Sequence, residues 1–203
     1  MRDDTLRELE REWRATRDLE LEQTYLQALV RNGLPKERLL LAAYLGCEVA
    51  LGLLGDQGFA EEKVLTPWVA GLGLGRLARK KAFSRESSIR AALGALAFLA
   101  TSGKRDPDAE SAAALVAAWL EDPSEEARLA VRGLRKVGAL SGELAGVVLV
   151  RSVEDAARAA ARVATQVARE LRGVHPSNQL AVRGAIYRTL LPWALSSEAL
   201  TPT

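Results

Sequence analysis

The chain has one cysteine, one histidine and one methionine among its 203 residues. A single cysteine, Cys47, closes no internal disulfide, and with His175 as its only histidine the chain has no zinc-ligand spacing. Aromatics are only 5% of the chain and isoleucine is scarce. The apolar content comes instead from alanine, leucine and valine, and small or unbranched side chains lose little freedom in a helix. Long apolar runs are also missing. The longest, residues 39–55, is broken by Glu48 and three glycines and is too short to span a bilayer comfortably. The first dozen residues, MRDDTLRELERE, are charged throughout and hold no apolar core of a secretory signal. The expectation is a soluble cytoplasmic protein with no membrane partner and no cofactor.

What is present is globular: 48% hydrophobic and 27% charged residues. The net charge is only +2, but it is unevenly spread. Residues 71–105 and 128–203 are basic, while residues 106–127 carry seven acids and no base. Such blocks give surfaces of opposite sign on one protein.

Helix starts and stops recur along the chain. An amphipathic helix over 4–16 carries Leu6, Leu9 and Trp13 on one side. Asp18 caps a second helix ending near Gly33, with Tyr25, Leu26, Leu29 and Val30 inward. A third starts at Pro35 and ends at Gly46, and a short fourth covers Glu48 to Leu54 and closes at Gly55. Residues 56–65 read as a joint. Thr66-Pro67 opens a helix to about Lys81, in which Gly71, Gly73 and Gly75 each cost roughly 1 kcal/mol against Ala and demand an irregular or closely pressed segment. Ser84 caps a helix ending at Gly103, Asp106-Pro107 opens another through Trp119, and Asp122-Pro123 opens the next. Ser141 caps a shorter helix, with Val147–Val150 readable as a strand-like run. Ser152-Val-Glu-Asp155 resembles a capping box and begins a long Ala/Arg helix that stops at Gly173. Ser177 begins the last helix, which Pro192 kinks or ends. The prediction is an all-α fold of about ten antiparallel helices.

The stretch EDPSEEARLAVRGLRKVGAL, residues 121–140, carries an apolar stripe at Ala127, Ala130, Val131, Leu134 and Val137, with Gly138 as the stop. It resembles the second half of a HEAT repeat, with Ala127 standing where the family pattern has Val. The segment starting at Ile89 precedes it by 38 residues, close to the roughly 40 of such units. A third similar segment at Ala181 breaks the period. The resemblance implies an irregular HEAT or tetratricopeptide-like superhelix, with helix pairs over 1–55 and repeats over 66–203 packed as one continuous domain. A compact irregular bundle is the competing architecture.

No reactive constellation emerges. His175 sits in a loop and reads as a turn or capping residue. GLGLGR at 71–76 has a helix start before it where a phosphate loop needs a strand. The pairs Glu61/Glu62 and Glu125/Glu126 do not converge and suit helix starts. The tryptophans, Trp13, Trp68, Trp119 and Trp193, read as core fillers. The sharpest feature is three rows of basic residues at helical spacing: Arg76, Arg79 and Lys80; Arg128, Arg132 and Arg135; Arg158, Arg162 and Arg169. On successive second helices of a stack these rows would line a positive groove. The expectation is a non-enzymatic interaction scaffold, adaptor or immunity-type inhibitor that binds an acidic protein. The alternative is a nucleic-acid-binding protein, at the extreme similar to HEAT-like DNA glycosylases.

Overall fold

Caps and glycines decide where this chain turns. The computed structural model describes residues 3–55, 64–73, 83–171 and 175–197. Among them the backbone forms eleven α-helices and no strand. The chain divides into two compact units, Met1–Ala60 with Leu191–Thr203, and Glu61–Leu190.

In the first unit, α1 (Asp3–Thr16) packs on α2 (Leu19–Arg31), and α3 (Lys36–Leu45) packs on α4 (Glu48–Leu54). The Asp18 carboxylate accepts the Leu21 amide at 2.9 Å and so starts α2. Gly46 ends α3 with φ of +104°, a conformation that an L side chain resists. Trp13, Tyr25, Leu26, Leu29 and Leu41 are fully buried. Val30, expected inward, is 41% exposed, because α2 turns only its Tyr25–Leu29 side to the core.

The second unit contains α5 (Leu65–Ala70), α6 (Arg85–Thr101), α7 (Pro107–Glu121), α8 (Glu125–Gly133), α9 (Ala139–Leu149), α10 (Val153–Glu170) and most of α11 (Pro176–Ala194). Its centre is α10, which packs against α5, α6 and α9. Seven alanines and two valines of α10 lie at or near zero exposure, and small side chains let neighbouring backbones come close. One such close approach is at Gly73, in a 3₁₀ turn over Gly71–Gly73 after α5. A Cβ there would lie 2.5 Å from the Ala157 Cβ and 2.7 Å from the Val153 carbonyl oxygen. The glycines at 71 and 73 thus sit in the closely pressed, irregular segment that their sequence demanded; the rest of that expected helix, to Lys81, lies outside the described residues from 74 on. In a linear repeat stack each unit contacts only its sequence neighbours. Here a single helix gathers partners from both earlier and adjacent parts of the chain.

Several boundaries differ from the sequence expectation. Asp122 ends α7, and α8 starts three residues later at Glu125, capped by Ser124, whose hydroxyl accepts the Ala127 amide at 3.2 Å. Of the expected stripe on α8, Val131 and Leu134 are buried, whereas Ala130 and Val137 face solvent. Leu134–Lys136 tightens into a 3₁₀ turn, and Gly138, a stop by its sequence, is instead the N-cap of α9. Ser141 is a buried residue inside α9, and Val147–Leu149 completes that helix in place of a strand-like run. The last helix starts at Pro176 and continues through Pro192 to Ala194. Because Pro192 lies in the final turn, little helix follows it to be disrupted. The segments at Ile89 and Ala127 are not equivalent. The first lies in a 17-residue helix buried along much of its length, the second in a nine-residue helix with few buried residues.

Candidate functional site

Of the three basic rows, Arg76, Arg79 and Lys80 lie outside the described residues. The other six arginines are all exposed. Arg128 pairs with Glu125 at 3.4 Å, one turn back on its own helix. Arg158 pairs with Glu154 and, at 3.4 Å, with Asp155. Arg162 reaches from α10 to Glu143 of α9 at 2.7 Å. Exposed pairs of this kind contribute roughly 0–1 kcal/mol each, but they offset much of the positive field of a row. Arg132, Arg135 and Arg169 have no carboxylate partner among the described residues. Arg135 leaves the α8 row because the backbone tightens after Gly133. The rows of α8 and α10 lie on helices that each pack on α9.

Within the second unit, arginines from different elements meet in a cleft of about 240 Å³. Arg85 comes from the first turn of α6, Trp119 from the end of α7, Arg128 from α8, and Val148–Arg151 from the end of α9 and the turn beyond it. The lining residues include three arginines and no acidic residue. Arg85 donates from Nη2 to the Arg151 carbonyl oxygen at 2.9 Å, which fixes its fork against that turn. Its Nε is buried without a hydrogen-bond partner. Trp119 is half-buried. With Val148, Leu149 and Val150 it gives the cleft an apolar wall. The cleft has no nucleophile and no base. What it offers chemically is charge-assisted hydrogen bonding to an anion, beside apolar surface.

Sequence periodicity selected only Arg128 of these residues. Arg85 and Arg151 stand singly beside helix caps, where no 3.6-residue rhythm marks them. The sequence predicts a core position for Trp119. It and Trp193 are half-buried, whereas Trp13 and Trp68 are fully enclosed. Arginines lie over three of the four indoles: Arg17 over Trp13, Arg38 over Trp193 and Arg183 over Trp68, at 3.9 to 4.8 Å from the ring centres. A larger cleft, about 350 Å³ between α6 and α7, is lined by leucines and alanines with Lys104, Asp106 and Glu110. Its mixed charges select no anion.

The first unit contains a buried polar knot. Glu22 is only 8% exposed. It accepts the Trp13 indole N–H at 3.0 Å on one oxygen and the Cys47 thiol at 3.2 Å on the other. The Cys47 sulfur in turn accepts the Ala50 amide at 3.4 Å and caps α4. Both carboxylate oxygens are thereby committed to holding α1, α2 and α4 together, which leaves none facing a substrate. Burial, with the neighbouring Glu22 charge adding to it, pushes the Cys47 thiol up to about 12. Burial, with Glu10 adding to it, likewise raises Tyr25 above the usual phenol range. For both groups the folded state holds its proton at a pH where the unfolded chain has released it. The Cys47 contribution is therefore complete below about pH 9 and is lost as pH rises toward 12, while that of Tyr25 is lost only at still higher pH. Native protein at pH 8 is expected to resist iodoacetamide, while urea-unfolded protein is alkylated at once. Melting measured from pH 8.5 to 11 should fall less steeply for Cys47→Ala than for wild type. Equal slopes would show that the thiol is not held protonated by the fold.

His175 caps α11: its Nδ1 lies 2.7 Å from the Ser177 hydroxyl, and its carbonyl accepts the Asn178 amide at 3.0 Å. Among the described residues no group of three or more histidine, cysteine or acidic side chains is placed to hold a metal ion, and no helix is long and apolar enough to cross a membrane. Glu61 and Glu62 lie outside the described residues, and Glu125 and Glu126 occupy the first turn of α8. No family model, no curated protein and no solved structure matches the chain.

Proposed function

We propose that this chain is a non-catalytic interaction protein, which holds an acidic segment of a protein partner on the basic face of its larger unit. An adaptor and an immunity-type inhibitor of an acidic effector are two forms of the same activity, and a HEAT-like use of consecutive helices as a binding surface belongs to this reading. The observation that carries it is the cleft in which Arg85, Arg128 and Arg151 converge with no acid among them. Like charges around one space repel one another, and an incoming anion relieves that repulsion, competing at Arg128 with its exposed pair to Glu125. The alternative, a nucleic-acid backbone, would need a continuous positive track. The pairing of Arg128, Arg158 and Arg162 with carboxylates, and the seven acids of residues 106–127, weigh against one.

The test is binding of a labelled oligoglutamate peptide followed by fluorescence anisotropy. Binding is expected to weaken with salt and to fall at least tenfold in Arg128→Glu/Arg132→Glu, with helical circular dichroism and melting unchanged. A double variant that binds as well as wild type removes this face from the function. Random duplex DNA should show no binding at about 50 mM salt, and submicromolar, steeply salt-dependent binding would establish the alternative.

A further inference from the structure

The cleft's size and lining say more than its charge. We propose that it seats one residue-sized carboxylate carried on an apolar stem, the side chain of an acidic residue or the C-terminal residue of a peptide. This rests on the reading above that the partner is acidic. At about 240 Å³ the space lies below the roughly 300–1,000 Å³ of pockets that enclose drug-sized ligands, so it suits a single pendant group. The wall formed by Trp119, Val148, Leu149 and Val150 suits methylene groups, while Arg85, Arg128 and Arg151 suit the charge at their end. A free phosphate has the charge but no stem to lay on that wall. A nucleic-acid phosphate is flanked by sugar on both sides and does not end in a pocket. Arg85 is already anchored through Nη2, and its buried Nε has no hydrogen-bond partner among the described residues. Among the described residues the one ion pair made by a lining arginine is that of Arg128 with Glu125 at 3.4 Å, an exposed pair that an incoming carboxylate can displace.

The experiment follows the four indole N–H signals and the arginine Nε–H signals of the isotope-labelled full chain by NMR, with Trp119→Phe identifying its indole. Oligoglutamate is expected to shift the Trp119 and Arg85 signals saturably, leaving those of the enclosed Trp13 and Trp68 in place. Arg151→Gln and Arg128→Gln should each weaken that binding by about tenfold. N-acetylglutamate should produce the same shifts at lower concentration than inorganic phosphate does. Binding of oligoglutamate without movement of the Trp119 and Arg85 signals overturns the seat but leaves the acidic-partner reading standing. An absence of oligoglutamate binding at about 50 mM salt overturns both. Phosphate that matches or exceeds N-acetylglutamate overturns the stemmed carboxylate in favour of a bare oxyanion.

Discussion

Gly73→Ala is expected to lower the melting temperature by about 6–12 °C, which corresponds to a loss of about 3 kcal/mol. Alanine is the better residue in most helical turns, and by relieving chain entropy alone the change would stabilise by about 0.4–1 kcal/mol. The neighbours reverse that sign. The added methyl group would lie 2.5 Å from the Ala157 Cβ, 2.7 Å from the Val153 oxygen and 2.9 Å from the Glu154 Cα. Two of these atoms belong to the backbone of the first turn of α10, so no rotamer change opens the space. Either the 3₁₀ turn or the start of α10 must withdraw, and Leu72, buried beside Gly73, withdraws with it. Native-state hydrogen exchange should show the loss first in α5 and the N-terminal half of α10. Ala157→Gly in the Gly73→Ala background removes one of the three clashes and should recover part of the stability. A Gly73→Ala protein that melts at the wild-type temperature would sink the close packing of α5 and α10.

Trp13→Ala should destabilise by about 3–5 kcal/mol, the range for deleting a fully enclosed large aromatic. Trp13 has no exposed surface, and its ring stacks on Tyr25 with centroids 5.3 Å apart. Its indole N–H also satisfies one oxygen of the nearly enclosed Glu22. The substitution therefore opens a cavity and strips a donor from a buried acid. Trp13→Phe separates the two effects, since it keeps most of the ring and removes only the N–H. It should cost about 1–3 kcal/mol, the range for leaving a buried polar group unpaired. Trp13→Phe/Glu22→Gln should then be less destabilised than the sum of its parts, because the charge that lacked a donor is gone. Additive losses would show that the indole and the carboxylate do not act together.

The helices of the first unit were legible because each signal there is local. Asp18 caps, Gly33, Gly46 and Gly55 turn, and each acts on a residue within a few positions of itself. The start of α8 was misread for the same reason, since Asp122-Pro123 and Ser124 compete within three residues and only the preceding helix decides between them. The central role of α10 was hidden. Its alanines promise close packing, but nothing in their spacing says that α5 and α6, far earlier in the chain, are what they pack against. Nothing in the spacing of α2 marks Glu22 as buried, since its burial depends on Trp13 and Cys47 arriving from elsewhere. The basic rows were readable as rows. Their neutralisation was not fully so, because Glu143 is brought to Arg162 by the fold and not by helical spacing. The cleft was the least legible feature, assembled from positions 85, 119, 128 and 148–151 on separate elements.

The enclosed thiol has a practical consequence. Cys47 is 1% exposed and hydrogen-bonded on both sides, so it has no route to a second copy and does not cross-link under air. A cysteine introduced on the rim of the arginine cleft would accordingly be the single reactive thiol of the native protein. A spin label or fluorophore attached there would report on that rim alone, with the native sequence otherwise untouched.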